Sequence, residues 1–159
     1  MRLSYAIKYQ RAFPSDLQDN LRDFRVFFRD ELLPDPVYLT VAVKNIGGVA
    51  VENCSIEVGA RGTTYVIPGW FEQLPDGYAS HWDIVRDDAE VCKINLTHIN
   101  PGQVLKAHFI LDEYPQQSPY LGCAHANLRL IKDDSLLFEG GCIHKFYSRT
   151  PSSAAPSAG

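Results

Sequence analysis

The chain has 159 residues, 45% of them hydrophobic and 21% charged, and its formal net charge is -4. This length and composition are typical of one globular domain with its own hydrophobic core. The acidic balance, together with the absence of a basic stripe, argues against nucleic acid and anionic membrane surfaces as partners.

The sequence predicts neither a membrane span nor secretion. No apolar run approaches the roughly 18 residues that a transmembrane helix needs, and the first residues, MRLSYAIKYQ, lack the apolar stretch of a signal peptide. We therefore expect a cytoplasmic location, with or without a membrane link through a longer protein. In a reducing compartment the cysteines are expected to be free thiols. They are Cys54, Cys92, Cys123 and Cys142.

Apolar residues recur at every second position through much of the chain, which is the period of a half-buried β-strand. The segment Leu3–Tyr9 alternates in this way, as do Val37–Lys44, the clearest case, and Leu105–Leu111. Shorter segments that predict strands are Phe24–Phe28, Val51–Val58, Thr63–Pro68, Tyr78–Val85, Cys92–Leu96, Ala126–Ile131 and Leu136–Tyr147, the last with a bulge at Gly140–Gly141.

Two turns are predicted from their glycines. Asn45, Gly47 and Gly48 tolerate positive φ, which a tight hairpin between the strands on either side of them would require. Pro101 and Gly102 stand where a type II turn places its proline and its glycine.

Seven to nine short strands with little helix predict an all-β fold, an immunoglobulin-like antiparallel β-sandwich. We expect a single sandwich domain over residues 1–148. The tail 149–159 is rich in Pro, Ser and Ala and has no large apolar residue, so we expect it to be disordered.

The segments PVYLTVAVKNIGGVAVENCSIEV and INLTHINPGQVLKAHFIL resemble the immunoglobulin-like modules of bacterial surface and membrane-linked proteins. In those modules one strand ends in Asn-x-Gly, and a Pro-Gly turn precedes a later strand. The first half, which includes LSYAI and FRVFFRDELLPDPVYLTVAVKN, is loosely similar to uncharacterised bacterial proteins that often carry transmembrane helices ahead of a soluble domain. The resemblance covers about residues 3–111. It implies a bacterial β-sandwich module and supplies no catalytic residue.

Two Cys-x-His pairs, Cys123-x-His125 and Cys142-x-His144, are the metal-ligand pattern of this sequence. Residues i and i+2 of a strand share a face, so four ligands could meet tetrahedrally around zinc if the two segments were neighbouring strands. Structural zinc sites usually space their ligands as C-x2-4-C or H-x3-5-H, which differs from this pattern. We therefore keep zinc binding as an alternative and expect no metal and no cofactor.

The segment Gly69–Gly77 is predicted to be a loop that presents aromatic side chains. Trp70 and Phe71 stand between Pro-Gly and Pro-Asp-Gly sequences that could hold them rigid, and rigid aromatic side chains often anchor binding surfaces. Trp82, by contrast, is expected in the core, because an indole buries a large apolar area. The predicted binding residues are Trp70, Phe71, Tyr78 and His81.

No catalytic motif is present, whether G-x-S-x-G, a phosphate loop, a dinucleotide fingerprint or H-E-x-x-H. We expect a non-catalytic recognition or accessory module that binds a protein partner through a sheet edge or an end loop. Two alternatives stay open. One is a small-ligand or carbohydrate-binding sensor domain, and the other is a metal-binding domain that uses the Cys-x-His pairs.

Overall fold

The computed structural model of the chain describes residues 1–13, 26–60, 65–88, 90–125 and 127–138. The strands in these ranges are β1 (Arg2–Arg11), β2 (Val26–Phe28), β3 (Glu31–Leu33), β4 (Val37–Asn45), β5 (Val51–Gly59), β6 (Val66–Glu72), β7 (Trp82–Asp88), β8 (Val91–Ile99), β9 (Val104–Leu111), β10 (Tyr120–Cys123) and β11 (Arg129–Lys132). A 3-10 helix, η1 (Asp134–Phe138), follows them. None of the described segments is a helix of the length and apolar character needed to cross a bilayer.

The strands form two facing sheets and a separate hairpin. One sheet has five strands in the order β11-β1-β4-β9-β6, the other has four in the order β10-β5-β8-β7, and β2 pairs with β3. One buried hydrophobic cluster draws its side chains from both large sheets. The all-β sandwich prediction is therefore confirmed. Strand neighbours in the two sheets run antiparallel, except that β1 and β11 pair in parallel.

The central strands explain how the alternating sequence produces this architecture. Leu39 of β4 lies opposite Phe109 of β9, and Ile56 of β5 lies opposite Ile94 of β8. All four side chains are fully buried. Burial contributes roughly 25 cal/mol for each Å² of apolar surface removed from water. Period-two residues that share one face of each sheet therefore drive the two sheets together.

The tight hairpin predicted at Asn45–Gly48 is wrong. The strands on either side of it, β4 and β5, lie in different sheets. Among the described residues the glycines with positive φ are Gly77 and Gly102, neither of which belongs to this junction. The chain therefore uses the segment to pass from one sheet to the other.

The side chain of Asn45 holds this passage in place. It is fully buried, and its Nδ2 donates hydrogen bonds of 2.9 Å to the carbonyl oxygens of Val49 and Ile99. Its Oδ1 accepts a 2.9 Å hydrogen bond from the N–H of Gly47. Buried polar backbone groups need partners, so one amide side chain satisfies three of them where the chain changes sheets.

The turn predicted at Pro101–Gly102 is confirmed. Gly102 has a φ of 80°, and the N–H of Gln103 donates to the carbonyl oxygen of Asn100 at 3.0 Å. Proline fixes φ at the first central position, and glycine takes the positive φ of the second at no steric cost.

The predicted strand Phe24–Phe28 is described only from Val26, where β2 begins. β3, which the sequence analysis does not predict, pairs with β2 to form a hairpin. Arg29 and Asp30 connect them with φ values of 50° and 68°. Positive φ at both central residues is the conformation of a type I′ hairpin turn.

The last predicted strand is wrong where the structure describes it, because its first residues, Leu136–Phe138, belong to η1. The N–H of Ser135 donates to Asp133 Oδ1 at 3.1 Å and begins this turn. Leu136 is fully buried against Ala6 and Ala42 on the outer face of the five-stranded sheet. Tertiary packing on these small residues overrides the local preference for strand.

Several predictions fall on residues outside the described ranges. These are the bulge at Gly140–Gly141, the remainder of the last predicted strand and the tail 149–159. The domain boundary at residue 148 therefore stays a prediction.

Two elements of the four-stranded sheet differ from the sequence prediction. β10 is not predicted, because its sequence YLGC shows no alternation of apolar and polar residues. In the structure all four of its residues are half-buried. β7 begins at Trp82 rather than at Tyr78. The residues before it form a turn, in which the carbonyl oxygen of Tyr78 accepts from the N–H groups of His81 and Trp82 at 2.9 and 3.0 Å.

Candidate functional site

The outer face of the five-stranded sheet has two halves, one of which is covered by η1. In this covered half, Ala6 and Ala42 lie opposite each other on β1 and β4, and Leu136 of η1 packs on both. Lys106 follows in the same row on β9 and is only 7% exposed. Its Nζ donates a 3.1 Å hydrogen bond to the carbonyl oxygen of Leu137. The covered half thus serves to pack η1 against the sheet.

The other half of this face, which we call the open half, presents aromatic and polar side chains. Trp70 and Tyr38 are 52% and 45% exposed. The strand register aligns two rows of residues across β1, β4, β9 and β6. The first row is Lys8, Thr40, His108 and Trp70, and the second is Gln10, Tyr38, Ile110 and Ile67. With neighbouring strands about 4.8 Å apart, the two rows lie side by side on this face, and Ile67 at the end of the second row is only 6% exposed.

The indole of Trp70 packs against the imidazole of His108 on the neighbouring strand. The two rings lie 5.2 Å apart between centroids with an interplanar angle of 33°. His108 Nε2 is 2.9 Å from Glu72 Oε1, and His108 Nδ1 is 3.2 Å from Thr40 Oγ1. An ionised carboxylate only accepts hydrogen bonds, so Nε2 carries the proton in that pair. Both ring nitrogens are therefore engaged, and the imidazole is a fixed platform for the indole.

A bulge in β6 gives Trp70 its position. The pairing of β6 with β9 shifts between Pro68 and Trp70, so Gly69 is the extra residue. A Cβ on Gly69 would collide with the backbone carbonyl oxygen of His108, which leaves room for glycine alone. Proline lacks an N–H and is tolerated in a strand only at an edge or a bulge, and β6 offers both.

The prediction that Trp70 and Phe71 lie on a loop is therefore wrong, because both residues belong to β6. The expected exposure of Trp70 is confirmed, whereas Phe71 is half-buried. The Pro-Gly pair that indicates a loop in the sequence is accommodated by the bulge instead.

A groove opens beside Trp70, where the edge strands β6 and β7 of the two sheets face each other. Its volume is about 390 Å³, within the range of small-molecule sites. Phe71 and Trp82 pack together in this groove with ring centroids 6.0 Å apart. Trp82 is only 3% exposed, so its predicted place in the core is confirmed. The residues that line the groove are Gly69, Trp70, Phe71, Leu74, Trp82, Asp83 and Ile84.

The other two predicted binding residues, Tyr78 and His81, do not line this groove. Tyr78 packs edge-on against Trp82 with ring centroids 5.0 Å apart, and its hydroxyl is 3.2 Å from His98 Nε2. His81 Nδ1 lies 3.0 Å from Thr97 Oγ1 on β8. The structure thus brings Trp70 and Phe71 together at the groove. Tyr78 and His81 belong to a separate cluster, which contacts Trp82 and residues of β8 outside the groove lining.

The Cys-x-His alternative is described for only one of its pairs. Cys123 is the last residue of β10 and packs against the core, and His125 lies beyond the strand end. Cys142 and His144 lie outside the described residues. Within the described ranges, no three His, Cys, Asp or Glu side chains are grouped so that they could hold a metal ion.

The sequence analysis missed the residues around Trp70 on this face, namely Lys8, Gln10, Tyr38, Thr40, Glu72 and His108. Their only signal is that Tyr38, Thr40 and His108 occupy the polar phase of otherwise apolar alternating strands. This phase predicts an outward orientation but does not reveal which strands are neighbours. His108 meets Trp70 because β9 pairs with β6, a register that follows from the tertiary fold.

No family model matches the chain, and no curated protein matches it. Among solved structures, the chain is similar to one described as the unique CBM3 of Hungateiclostridium clariflavum. The TM-score is 0.36 and the identity 11%, over 75% of this chain and 91% of that chain. A second, described as the unique CBM of Ruminiclostridium thermocellum, has a TM-score of 0.33 and 13% identity over 67% of this chain and 70% of that chain.

Proposed function

We propose that this chain is a non-catalytic binding module whose ligand is a carbohydrate, held on the open half with Trp70 as its main contact. The observation that carries the proposal is the half-exposed indole, which is fixed on His108 at 5.2 Å. An aromatic ring that is already ordered loses little conformational entropy when it binds. It can therefore contribute most of its contact area to affinity.

The chemistry around Trp70 suits a sugar. A pyranose ring has C–H groups on its faces, which pack on an aromatic plane, and hydroxyl groups around its edge, which need hydrogen-bonding partners. Lys8, Gln10 and Thr40 lie in the two rows that also contain Trp70 and Tyr38. They provide donors and acceptors beside the aromatic surface. This combination fits a ligand that is apolar on its faces and polar at its edge.

The groove extends this surface around the edge of the sandwich. Trp70 lines the groove as well as the open half, so a ligand stacked on the indole lies next to the groove entrance. Asp83 is an exposed carboxylate in the groove lining, and a carboxylate accepts hydrogen bonds from sugar hydroxyls. A sugar chain could therefore extend from the open half into the groove.

Strand addition by a protein partner is disfavoured at the described sheet edges. β6 is interrupted by its bulge, and β10 and β11 have only four residues each. β7 carries Arg86, Asp87 and Asp88, which are all exposed. Bulges, short strands and charged residues are the features that block edge-to-edge pairing.

A protein partner remains the second candidate, and a different surface favours it. Phe27 and Leu32 lie opposite each other in the β2–β3 hairpin and are 59% and 49% exposed. Exposed apolar side chains that cluster together are typical of protein contact sites. This candidate predicts that binding depends on the hairpin and is indifferent to Trp70.

The test is retention on polysaccharides. The protein would be run through native gels that contain one soluble polysaccharide each, and mixed with insoluble cellulose, chitin and xylan. We expect the wild-type chain to be retained by at least one of them and Trp70→Ala to weaken that retention by tenfold or more. Tyr65→Ala is the matched control, since Tyr65 is an aromatic residue with 44% exposure that lies outside the groove lining and the two rows.

The same panel decides whether the carbohydrate site lies at Trp70. Equal retention of wild type and Trp70→Ala would overturn the carbohydrate site, as would the absence of retention on every polysaccharide. Loss of retention in a Phe27→Ser variant, with Trp70→Ala unaffected, would move the binding site to the hairpin.

A further inference from the structure

Two thiols face each other near the β10 edge of the four-stranded sheet, whereas the groove lies at the opposite edge, which β7 forms. Cys54 of β5 is 2% exposed, and Cys123, at the end of β10, is half-buried. Their Sγ atoms are 3.2 Å apart. Cys123 lies opposite Ile56 in the antiparallel pairing, so Cys54 is its diagonal neighbour on the adjacent strand. The two residues are 69 positions apart in the chain, and only the fold brings them together.

We propose that Cys54 and Cys123 are a reversible disulfide-forming site, whose oxidant is a small disulfide of the glutathione type. A disulfide bond is about 2.05 Å long, so the two sulfur atoms need to approach by about 1 Å. β10 is a four-residue edge strand, and its pairing with β5 ends at Cys123. The end of such a strand can shift by this amount without disturbing the core.

The two thiols take different parts in the reaction. Burial, and after it a hydrogen bond and charge repulsion from the adjacent Cys123, together raise the pKa of the Cys54 thiol to about 12. Because the thiolate is the nucleophile in disulfide exchange, the more exposed Cys123 reacts first. Its thiolate attacks one sulfur of the small disulfide, forms a mixed disulfide and releases one small thiol.

The second step closes the protein disulfide. The Cys54 thiolate attacks Cys123 Sγ, breaks the mixed disulfide and releases the second small thiol. The small disulfide thereby gains two electrons, and the two protons lost by Cys54 and Cys123 end on the two small thiols. In sum, two protein thiols and one small disulfide give one protein disulfide and two small thiols.

The diagonal placement of the pair explains why the bond would be reversible. Diagonal neighbours on adjacent strands are more widely spaced than directly opposite residues. Closing the bond therefore pulls the end of β10 towards Cys54 and stores strain in the link. Strained disulfides are the more easily reduced ones, so an excess of reduced glutathione should open the bond.

The test is to treat the folded protein with oxidised glutathione, trap free thiols with an alkylating reagent and map tryptic peptides without reduction. The linked species should join peptide 45–61, which contains Cys54, to peptide 107–129, which contains Cys123. Peptide 87–93 should be recovered with Cys92 alkylated and not linked to another peptide. Subsequent reduced glutathione should remove the link. Cys54→Ala should stop the reaction at a glutathione adduct on Cys123, and Cys142→Ala should leave the link unchanged.

Denatured wild-type protein is the matched control, and it does not depend on any variant folding. Loop-closure entropy favours shorter loops in an unfolded chain, so links of Cys123 to Cys92 or Cys142 should then exceed the link to Cys54. A dominant link between Cys54 and Cys123 in the folded protein alone supports the proposal. An adduct on Cys123 without closure, or the same distribution of links in folded and denatured protein, overturns it.

Discussion

The covered and open halves of the five-stranded sheet belong to the same strands but serve different purposes. In the covered half, Ala6 and Ala42 are small enough for Leu136 to pack directly on the sheet. Two residues further along the same strands, in the open half, Lys8 and Thr40 occupy the positions that correspond to these alanines. Trp70, in the same row, is 52% exposed. Small apolar residues on an outer face therefore mark a packing site, whereas an exposed aromatic beside polar residues is the feature on which the proposed recognition surface rests.

The largest expected effect tests the covered half. Leu136→Ala should lower the free energy of unfolding by about 3 kcal/mol, because it removes a fully buried side chain and leaves a cavity over Ala6 and Ala42. Chemical denaturation measures this loss. The half-buried Leu137 is the control, and Leu137→Ala should cost clearly less. A loss below about 1 kcal/mol for Leu136→Ala would mean that η1 adds little to the fold.

The second prediction concerns Asn45, at the end of β4 beyond the covered half. Asn45→Ala should lower the free energy of unfolding by about 2 kcal/mol or more, because three buried or partly buried backbone groups lose their partner. Gly48→Ala should change it by less than about 0.5 kcal/mol, since a Cβ at Gly48 meets no atom within 4 Å and φ is not positive. If Gly48→Ala proves the more damaging in urea denaturation, the junction depends on glycine after all.

The third prediction concerns β6, the strand that carries Trp70. Burial raises the pKa of the Cys92 thiol to about 11, with Arg86 acting weakly in the opposite direction. Cys92 Sγ donates to the carbonyl oxygen of Val66, at the start of β6. A thiol whose pKa is higher in the folded protein than in the unfolded chain stabilises the fold while it is protonated. For Cys92 this contribution is complete below the unfolded pKa, near 9, and is lost as the pH rises towards 11.

Wild-type protein should therefore lose about 2 kcal/mol more unfolding free energy than Cys92→Ala between about pH 8 and pH 10.5. Denaturation curves of the two proteins at each pH give this difference directly. Parallel pH profiles would show that the Cys92 thiol keeps an ordinary pKa in the folded state.

The smallest stability effect is expected in the open half. Trp70→Ala should change the free energy of unfolding by less than about 1 kcal/mol, because the indole is half-exposed and packs chiefly on one imidazole. The matched core change, Trp82→Ala, should cost about 3 kcal/mol or more, since Trp82 is 3% exposed and its Nε1 donates to the carbonyl oxygen of His98. Similar losses for the two variants, measured by thermal and chemical denaturation, would show that Trp70 is part of the packed structure rather than an exposed contact residue of the open half.

Part of the candidate site could be predicted from the sequence. Trp70 stands out because a large aromatic beside Pro68 and Gly69 is a poor fit to a buried strand. His108 could not be connected to it, because the two residues are 38 positions apart and meet only through the pairing of β6 with β9. A local pattern predicts which face of a sheet a residue occupies, but it does not predict which residue of the adjacent strand lies next to it.

The Asn45 junction shows the same limit. The sequence predicts a break in the strand at this point, and the break is there. The glycines suggested a hairpin, yet the chain changes sheets, because the Asn45 amide bonds to backbone groups from β8 and from the junction itself. The Ile99 carbonyl lies 54 positions away, so local turn chemistry could not reveal it.

The sequence by itself determined the class of fold and the inward phase of its main strands, since alternation of apolar residues is a local property with a local structural consequence. Tertiary structure alone decided the sheet order, the placement of η1 over Ala6 and Ala42, the support of Trp70 by His108 and the approach of Cys54 to Cys123. Each of these depends on contacts between distant segments. Such contacts form through burial and hydrogen bonding in the assembled sandwich, and no local pattern records them.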